Sequence, residues 1–254
     1  MATPRTSDHR FDAIVCDVDG CLSPEQPRPT DMPRLARVAE WNHRAHRGEA
    51  PPLTLCTGRP LPFAEAVGRA VGAFHLPIVC EGGVWLLDLA RYTFEMDPRI
   101  TREHLRLVAH VQEWIGERWS AGGAFFEVGK AAAVTVFHPR GPEFLRESIL
   151  PEIRDRIAKE RWPLRVGMTW TCINVELDFV SKASGLDRLM ARTGLTRDRL
   201  AGVGDTMSDL AIRERVALFA CPANADENLK PHADYVAAHE EAEGVLEILD
   251  HLNA

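Results

Sequence analysis

Four short stretches carry side chains that could do chemistry together. Asp17 and Asp19 stand two apart in "DVDGCL" (17–22), where the apolar run Ile14-Val15-Cys16 stops. Thr57, Gly58 and Arg59 close "LCTGR" (55–59), Lys182 opens "SKASGLDRLMARTG", and Asp205 and Asp209 bracket "GDTMSD" (204–209). Burying a carboxylate without a partner is expensive, and neighbouring carboxylates raise one another's pKa. A hard divalent cation resolves both problems, and Mg²⁺ takes one or two carboxylates together with water and phosphate oxygens. Thr57, the backbone amides after it and Lys182 are donors, and donors suit a phosphoryl group.

Taken singly, each stretch has an ordinary reading. An acidic pair at a strand end is a common solvated turn, Thr-Gly is common turn chemistry, and "GDTMSD" reads as a loop followed by a capped helix. Their order along the chain, each on a suitable element, is what points to one site.

The elements that must position them follow from apolar patterning. "FDAIVCD", "PPLTLCTG" and "LPIVCEGG" read as buried strands. They alternate with helices at 31–47, where Leu35, Val38, Trp41 and Ala45 share a face, and in "LPFAEAVGRAVGA". Such alternation predicts a parallel sheet covered by helices. The pattern returns after Phe179 as a helix closed by Gly194, a C′ residue, and the strands "LAGVGDT", "VALFACP" and "ADYVAA". In open sheets of this kind ligands bind beyond the strands' carboxyl ends, and Asp17, Thr57 and Asp205 all fall there.

Between about 86 and 177 the pattern differs. A helix with Leu105, Val108, Val111 and Ile115 on one side precedes the strands "AFFEVGK" and "AAVTVFHP". A second helix at roughly 142–161 precedes "PLRVGMTW" and "CINVELDF". The expected fold is therefore α/β: a Rossmann-like parallel-sheet core, 11–85 and 178–254, interrupted by an α+β insert of αββαββ order at 86–177. Residues 1–10, "MATPRTSDHR", are expected to be a flexible tail.

Composition narrows the function class. The 254 residues are 45% hydrophobic and 26% charged, with a formal net charge of −7, which argues against a nucleic-acid partner held by phosphate contacts. No apolar run reaches the ~20 residues that span a bilayer. The six cysteines contain no CxxC pair and are expected to be reduced, which places the protein in the cytoplasm. "HRAH" (His43, His46) reads as part of an exposed basic helix, and His138 as a structural residue.

These stretches resemble the four motifs of the haloacid dehalogenase-like phosphohydrolases. The insert, and the flanks "VELDFVSKASGLDRL" and "NADENLKPHADYVAAHEEAEGVLEIL", look like the Cof-type and sugar-phosphatase branch with its type IIB cap. The resemblance implies a Mg²⁺-dependent phosphatase acting on a small phosphomonoester, a sugar phosphate or a phosphorylated small acid, as a monomer or homodimer. A phosphomutase and a non-catalytic phospho-ligand sensor are the alternatives. It implies Asp17 as nucleophile and Asp19 as acid and base, with Mg²⁺ on Asp17, the Asp19 carbonyl, Asp205 and Asp209. Thr57, Gly58, Arg59 and Lys182 would bind phosphate. The cap would exclude water and choose the substrate, with Glu127, Lys130, His138, Trp170 and Asn174 as candidate contacts, and Glu81 from the core. Three positions depart from the family's habit: Cys21 for threonine, Ser208 for asparagine, and Glu81 for asparagine.

Overall fold

The computed structural model describes residues 10–253, so the expected tail at 1–10 lies, apart from Arg10, outside the described residues. In chain order the strands are β1 (Ala13–Cys16), β2 (Leu53–Leu55), β3 (Ile78–Cys80), β4 (Trp85–Asp88), β5 (Thr93–Met96), β6 (Phe125–Phe126), β7 (Ala133–Phe137), β8 (Leu164–Met168), β9 (Ile173–Leu177), β10 (Leu200–Val203), β11 (Leu218–Cys221) and β12 (Tyr235–Val236). The helices are α1 (Met32–His46), α2 (Leu61–Ala70), α3 (Arg102–Trp119), α4 (Gly141–Phe144), α5 (Leu150–Glu160), α6 (Lys182–Thr193), α7 (Leu210–Arg213) and α8 (Glu241–Asn253).

The chain divides into two compact units. The first combines Met1–Glu95 with Ser181–Ala254, and the second is Met96–Val180. The reading of 86–177 as the insert thus differs at its start. Residues 85–96 form the β4–β5 hairpin, and β4 pairs antiparallel with β3 of the first unit.

In the first unit β12-β11-β10-β1-β2 form a parallel sheet. Both faces are covered, so its strands are continuous apolar runs rather than alternating ones. Ile14 and Cys16 of β1 pack with Leu35, Val38 and Trp41 of α1 and with Val245, Ile248 and Leu249 of α8. Ala13 and Val15 face the other way, toward Leu186 and Leu189 of α6 and Ile212. Each large apolar side chain so buried contributes roughly 1.5–3 kcal/mol. All four residues of β1 are buried, and the Asp17 N–H still bonds to the Val203 carbonyl at 3.0 Å. The sheet therefore holds Asp17 as firmly as the strand that precedes it.

The second unit is an antiparallel sheet, β6-β7-β9-β8. α3 packs on β7 and α5 on β8. Buried Val108, Val111 and Ile115 line α3. A π turn over Leu145–Ile149 joins α4 to α5, so the expected helix at 142–161 is a single rod with one widened turn. Helix-strand-strand occurs twice, as the sequence pattern predicts.

Candidate active site

Asp17, Asp205 and Asp209 are all buried, and one carboxylate oxygen from each lies within 4.8 Å of the others. Asp17 follows β1, and Asp205 follows its neighbour β10. Asp209 closes a one-turn 3-10 helix, Met207–Asp209, which turns its carboxylate back toward the strand end. Its Oδ2 accepts from the N–H groups of Asp205 (3.0 Å) and Thr206 (3.1 Å). Asp17 Oδ1 accepts from the Val18 N–H at 2.8 Å.

Lys182 enters this group from the first turn of α6. Ser181 and Ser184 cap that helix reciprocally, which fixes the direction in which Lys182 leaves the backbone. Its Nζ donates to Asp17 Oδ2 at 2.6 Å and to Asp209 Oδ1 at 2.7 Å.

One ammonium does not balance three buried carboxylates. Burial pushes the Asp17 carboxyl up to about 7 against the pull of Lys182. Burial and the Asp209 and Asp17 charges push Asp205 up to about 9. Burial works against the Lys182 charge, but Asp17 and Asp209 outweigh it and hold its pKa well above the ordinary value. Asp205 Oδ1 is buried with no hydrogen-bond partner. An orphaned carboxylate oxygen beside two further oxygen donors fits a hard divalent cation.

The loop between the two aspartates fits tightly around Asp205. Gly20 has φ +73°, and a Cβ there would stand 1.8 Å from Asp205 Oδ2. Two residues absent from the sequence reading secure this loop. Asn224 Nδ2 donates to the Gly20 carbonyl (2.8 Å) while its Oδ1 accepts from the Glu241 N–H (2.8 Å). The Asp226 N–H donates to the Asp205 carbonyl at 2.8 Å. Both lie in the "NADENL" flank, so the signal was family likeness rather than residue chemistry. A third addition is Glu25, half-buried and close enough for Asp19, Arg59, Lys182 and Asp209 to act on it. Burial, then Asp19, raises its pKa.

Asp19 stands apart from the carboxylate cluster. Arg59 grips it with two parallel bonds, Nε to Oδ2 at 2.8 Å and Nη2 to Oδ1 at 2.7 Å. Arg59, expected on phosphate, is thus engaged with the second aspartate of the pair. Thr57 is buried, and its Oγ1 accepts from the Arg59 N–H at 3.0 Å. Open space lies beside Gly58. Glu81 is buried and has φ +49°. Cys21 is buried, and burial raises its thiol well above the ordinary value, as suits a residue that packs rather than reacts.

The other expected residues lie in the second unit. Lys130 pairs with Glu127 at 3.2 Å. Asn174 Oδ1 accepts from Thr135 Oγ1 at 2.7 Å. Trp170, 60% exposed, sits in the β8–β9 turn. His138 is structural: it bonds the Gly122 carbonyl at 2.9 Å and accepts from the Arg140 N–H.

Residues 143–249 match the family model of the haloacid dehalogenase-like hydrolases. The chain is 26% identical over 250 residues to a phosphoglycolate phosphatase of Methanothrix thermoacetophila, covering 96% of this chain and 98% of that protein. A Thermoplasma acidophilum crystal structure superposes with a TM-score of 0.75 at 20% identity, covering 96% of this chain and 99% of that one.

The chain resembles the haloacid dehalogenase-like hydrolases in sequence and in fold.

A haloacid dehalogenase-like hydrolase from Bacteroides thetaiotaomicron shares the fold, with a TM-score of 0.70 at 17% identity over 95% of this chain and 99% of that one. That likeness makes this acidic cluster and its lysine the first place to look for hydrolase chemistry. Among the described residues no helix is long and apolar enough to cross a membrane, and all six cysteines are buried and free of disulfides.

Proposed function

We propose that this phosphatase hydrolyses a small anionic phosphomonoester, phosphoglycolate first among the candidates, through an aspartyl-phosphate on Asp17 and with Mg²⁺ as its cation. The observation that carries the reading is the buried trio Asp17, Asp205 and Asp209 with the Lys182 ammonium inside it. Phosphoryl transfer asks mainly for positioning and for neutralised oxygen charge, and this cluster supplies an oxyanion nucleophile beside a fixed cation. The full-length likeness to a phosphoglycolate phosphatase supports the choice of substrate class.

Asp17, Asp205 and Asp209 would hold Mg²⁺, which neutralises phosphoryl charge when bound. The Asp17 carboxylate attacks phosphorus, and the P–O bond to the leaving alkoxide breaks. Asp19 gives the alkoxide its proton and later takes one from the water that attacks the acyl phosphate. Lys182 and Thr57, with the Gly58 amide, donate to the phosphoryl oxygens. The unit Met96–Val180 takes the part of the family's cap, a shield against bulk water.

Purified protein assayed with phosphoglycolate and other phosphomonoesters, in Mg²⁺ and in chelator, tests this. Release of inorganic phosphate only with the cation, and fastest from phosphoglycolate, is expected. Full turnover after exhaustive chelation rules out the metal role, and indifference to phosphoglycolate rules out the substrate.

A further inference from the structure

We infer that Arg59 determines substrate specificity: it recognises a carboxylate on the leaving group, and in taking it releases Asp19. The inference rests on the phosphatase reading and names the group that selects the substrate. Its starting point is the two-point grip of Arg59 on Asp19, at 2.8 and 2.7 Å. A planar guanidinium offering two parallel N–H groups matches any carboxylate of that shape, so the Asp19 side chain shows what else fits there.

The fork is presented from a fixed place. The Arg59 N–H is bound to Thr57 Oγ1, its carbonyl accepts from the Glu81 N–H at 2.8 Å, and its guanidinium lies over the Phe63 ring at 4.9 Å. It is also reachable. The Arg59 and Asp19 side chains are 31% and 21% exposed, against 9% for Lys182 and 0% for Asp209. A partly exposed pair has little net stability, so one carboxylate replaces another at small cost. The buried Lys182 contacts do not exchange so readily.

Geometry then sets what the newcomer is. An acid must lie within hydrogen-bond reach of the ester oxygen it protonates. Whatever Asp19 touches on its far side is therefore the next neighbour of the leaving group, and that is Arg59. A carboxylate one carbon beyond the ester CH₂ falls within this reach. Its arrival frees Asp19 to turn to the ester oxygen, whereas a neutral alkyl group leaves Asp19 held. Recognition and acid catalysis are coupled through one guanidinium, and the preference appears in kcat as well as in KM.

The test compares phosphoglycolate, ethyl phosphate and p-nitrophenyl phosphate with wild type, Arg59→Ala and Arg59→Lys. Wild type should favour phosphoglycolate over ethyl phosphate in kcat/KM by about tenfold or more, the range for hydrogen bonds to a charged group. Arg59→Ala should bring the ratio to within about twofold, with Arg59→Lys between the two, since it keeps charge but loses the fork. A wild type without preference, or an unchanged ratio in Arg59→Ala, overturns the inference. Should Arg59→Ala turn over neither alkyl ester, the Arg59→Lys ratio decides: a reduced one supports the role and a wild-type one overturns it. Failure of wild type on all three esters, p-nitrophenyl phosphate included, sinks the phosphatase reading itself and is thereby distinguishable.

Discussion

Lys182 Nζ reaches Asp17 Oδ2 at 2.6 Å across 165 positions of chain, with both side chains 9% exposed. The contact joins the first strand of the sheet to the helix that follows the second unit. Removing one partner of a buried pair leaves the other uncompensated, which costs about 3–5 kcal/mol. Lys182→Met should therefore lower unfolding stability by that order in chelator, read as a shifted urea midpoint. Mg²⁺ should restore part of the loss. Turnover should drop about 10²–10³-fold, by analogy with a lost oxyanion donor. An unmoved midpoint would show that Lys182 is not an integral charge of the cluster.

The raised carboxyls make a pH prediction with a definite sign. Asp17 at about 7 and Asp205 at about 9 hold protons that the unfolded chain releases near 3.8. The folded state then binds more protons than the unfolded state, so stability falls as pH rises. Their contribution is complete below the unfolded value and declines as pH climbs to about 9. The metal-free protein should lose melting temperature across that interval, and Asp205→Asn should flatten the slope. Cation binding needs the ionised carboxylates, so the Mg²⁺-induced rise in Tm should grow with pH. Thermal scans with Mg²⁺ and with chelator check both; a Mg²⁺ effect independent of pH contradicts the assignment.

The paired aspartates should separate by leaving group. Asp17→Asn should abolish turnover and leave no covalent phosphoenzyme in rapid-quench experiments. Asp19→Asn should slow alkyl phosphomonoesters by about 10²–10⁴-fold and p-nitrophenyl phosphate far less, because nitrophenolate leaves without a proton. Near wild-type activity in Asp17→Asn would end the nucleophile assignment.

Gly20 and Gly48 form a matched control. Both have positive φ, +73° and +78°, but a Cβ on Gly20 meets Asp205 Oδ2 at 1.8 Å whereas one on Gly48 meets nothing within 4 Å. Each alanine carries a backbone cost of ~1 kcal/mol. Gly20→Ala alone should also weaken Mg²⁺ binding, by more than about tenfold if Asp205 must move. Calorimetric titration of both variants decides; equal affinities would show that the loop yields without disturbing the carboxylate.

Much of this was readable without coordinates. β1, β2 and β10 are short apolar runs that end in polar residues, and Asp17, Thr57 and Asp205 stand just past them because that is where a parallel sheet opens. The pairing of Arg59 with Asp19 was not readable. The two are 40 positions apart, both are charged, and nothing local tells a guanidinium whether to face a carboxylate or a phosphoryl group. Asn224 was missed for a related reason: its bonds go to backbone groups of Gly20 and Glu241, which have no side-chain signature. The second unit begins ten residues later than the pattern predicts, because nothing in the short stretches that form β4 and β5 says which unit they join. The ladder between β3 and β4, and the bonds of Arg188 and Arg192 of α6 to Glu95, assign them to the first.

The pairing of β1 with β10 has a further consequence, for the chain as it is made. Asp12 and Arg199, bonded at the head of that ladder, are 187 positions apart. At ribosomal speeds of about 5–20 residues per second, β1 waits roughly 10–40 s for its neighbour. The unit Met96–Val180 lies entirely within that delay, and its strands pair over much shorter spans, as Thr135 with Asn174 at 39. It can complete its own sheet on the nascent chain while Asp17 is still in water, ionised and without its lysine. The acidic cluster cannot close until Asp205 and Asp209 emerge, by which time Lys182, the ammonium that bonds Asp17 and Asp209, has already been synthesised.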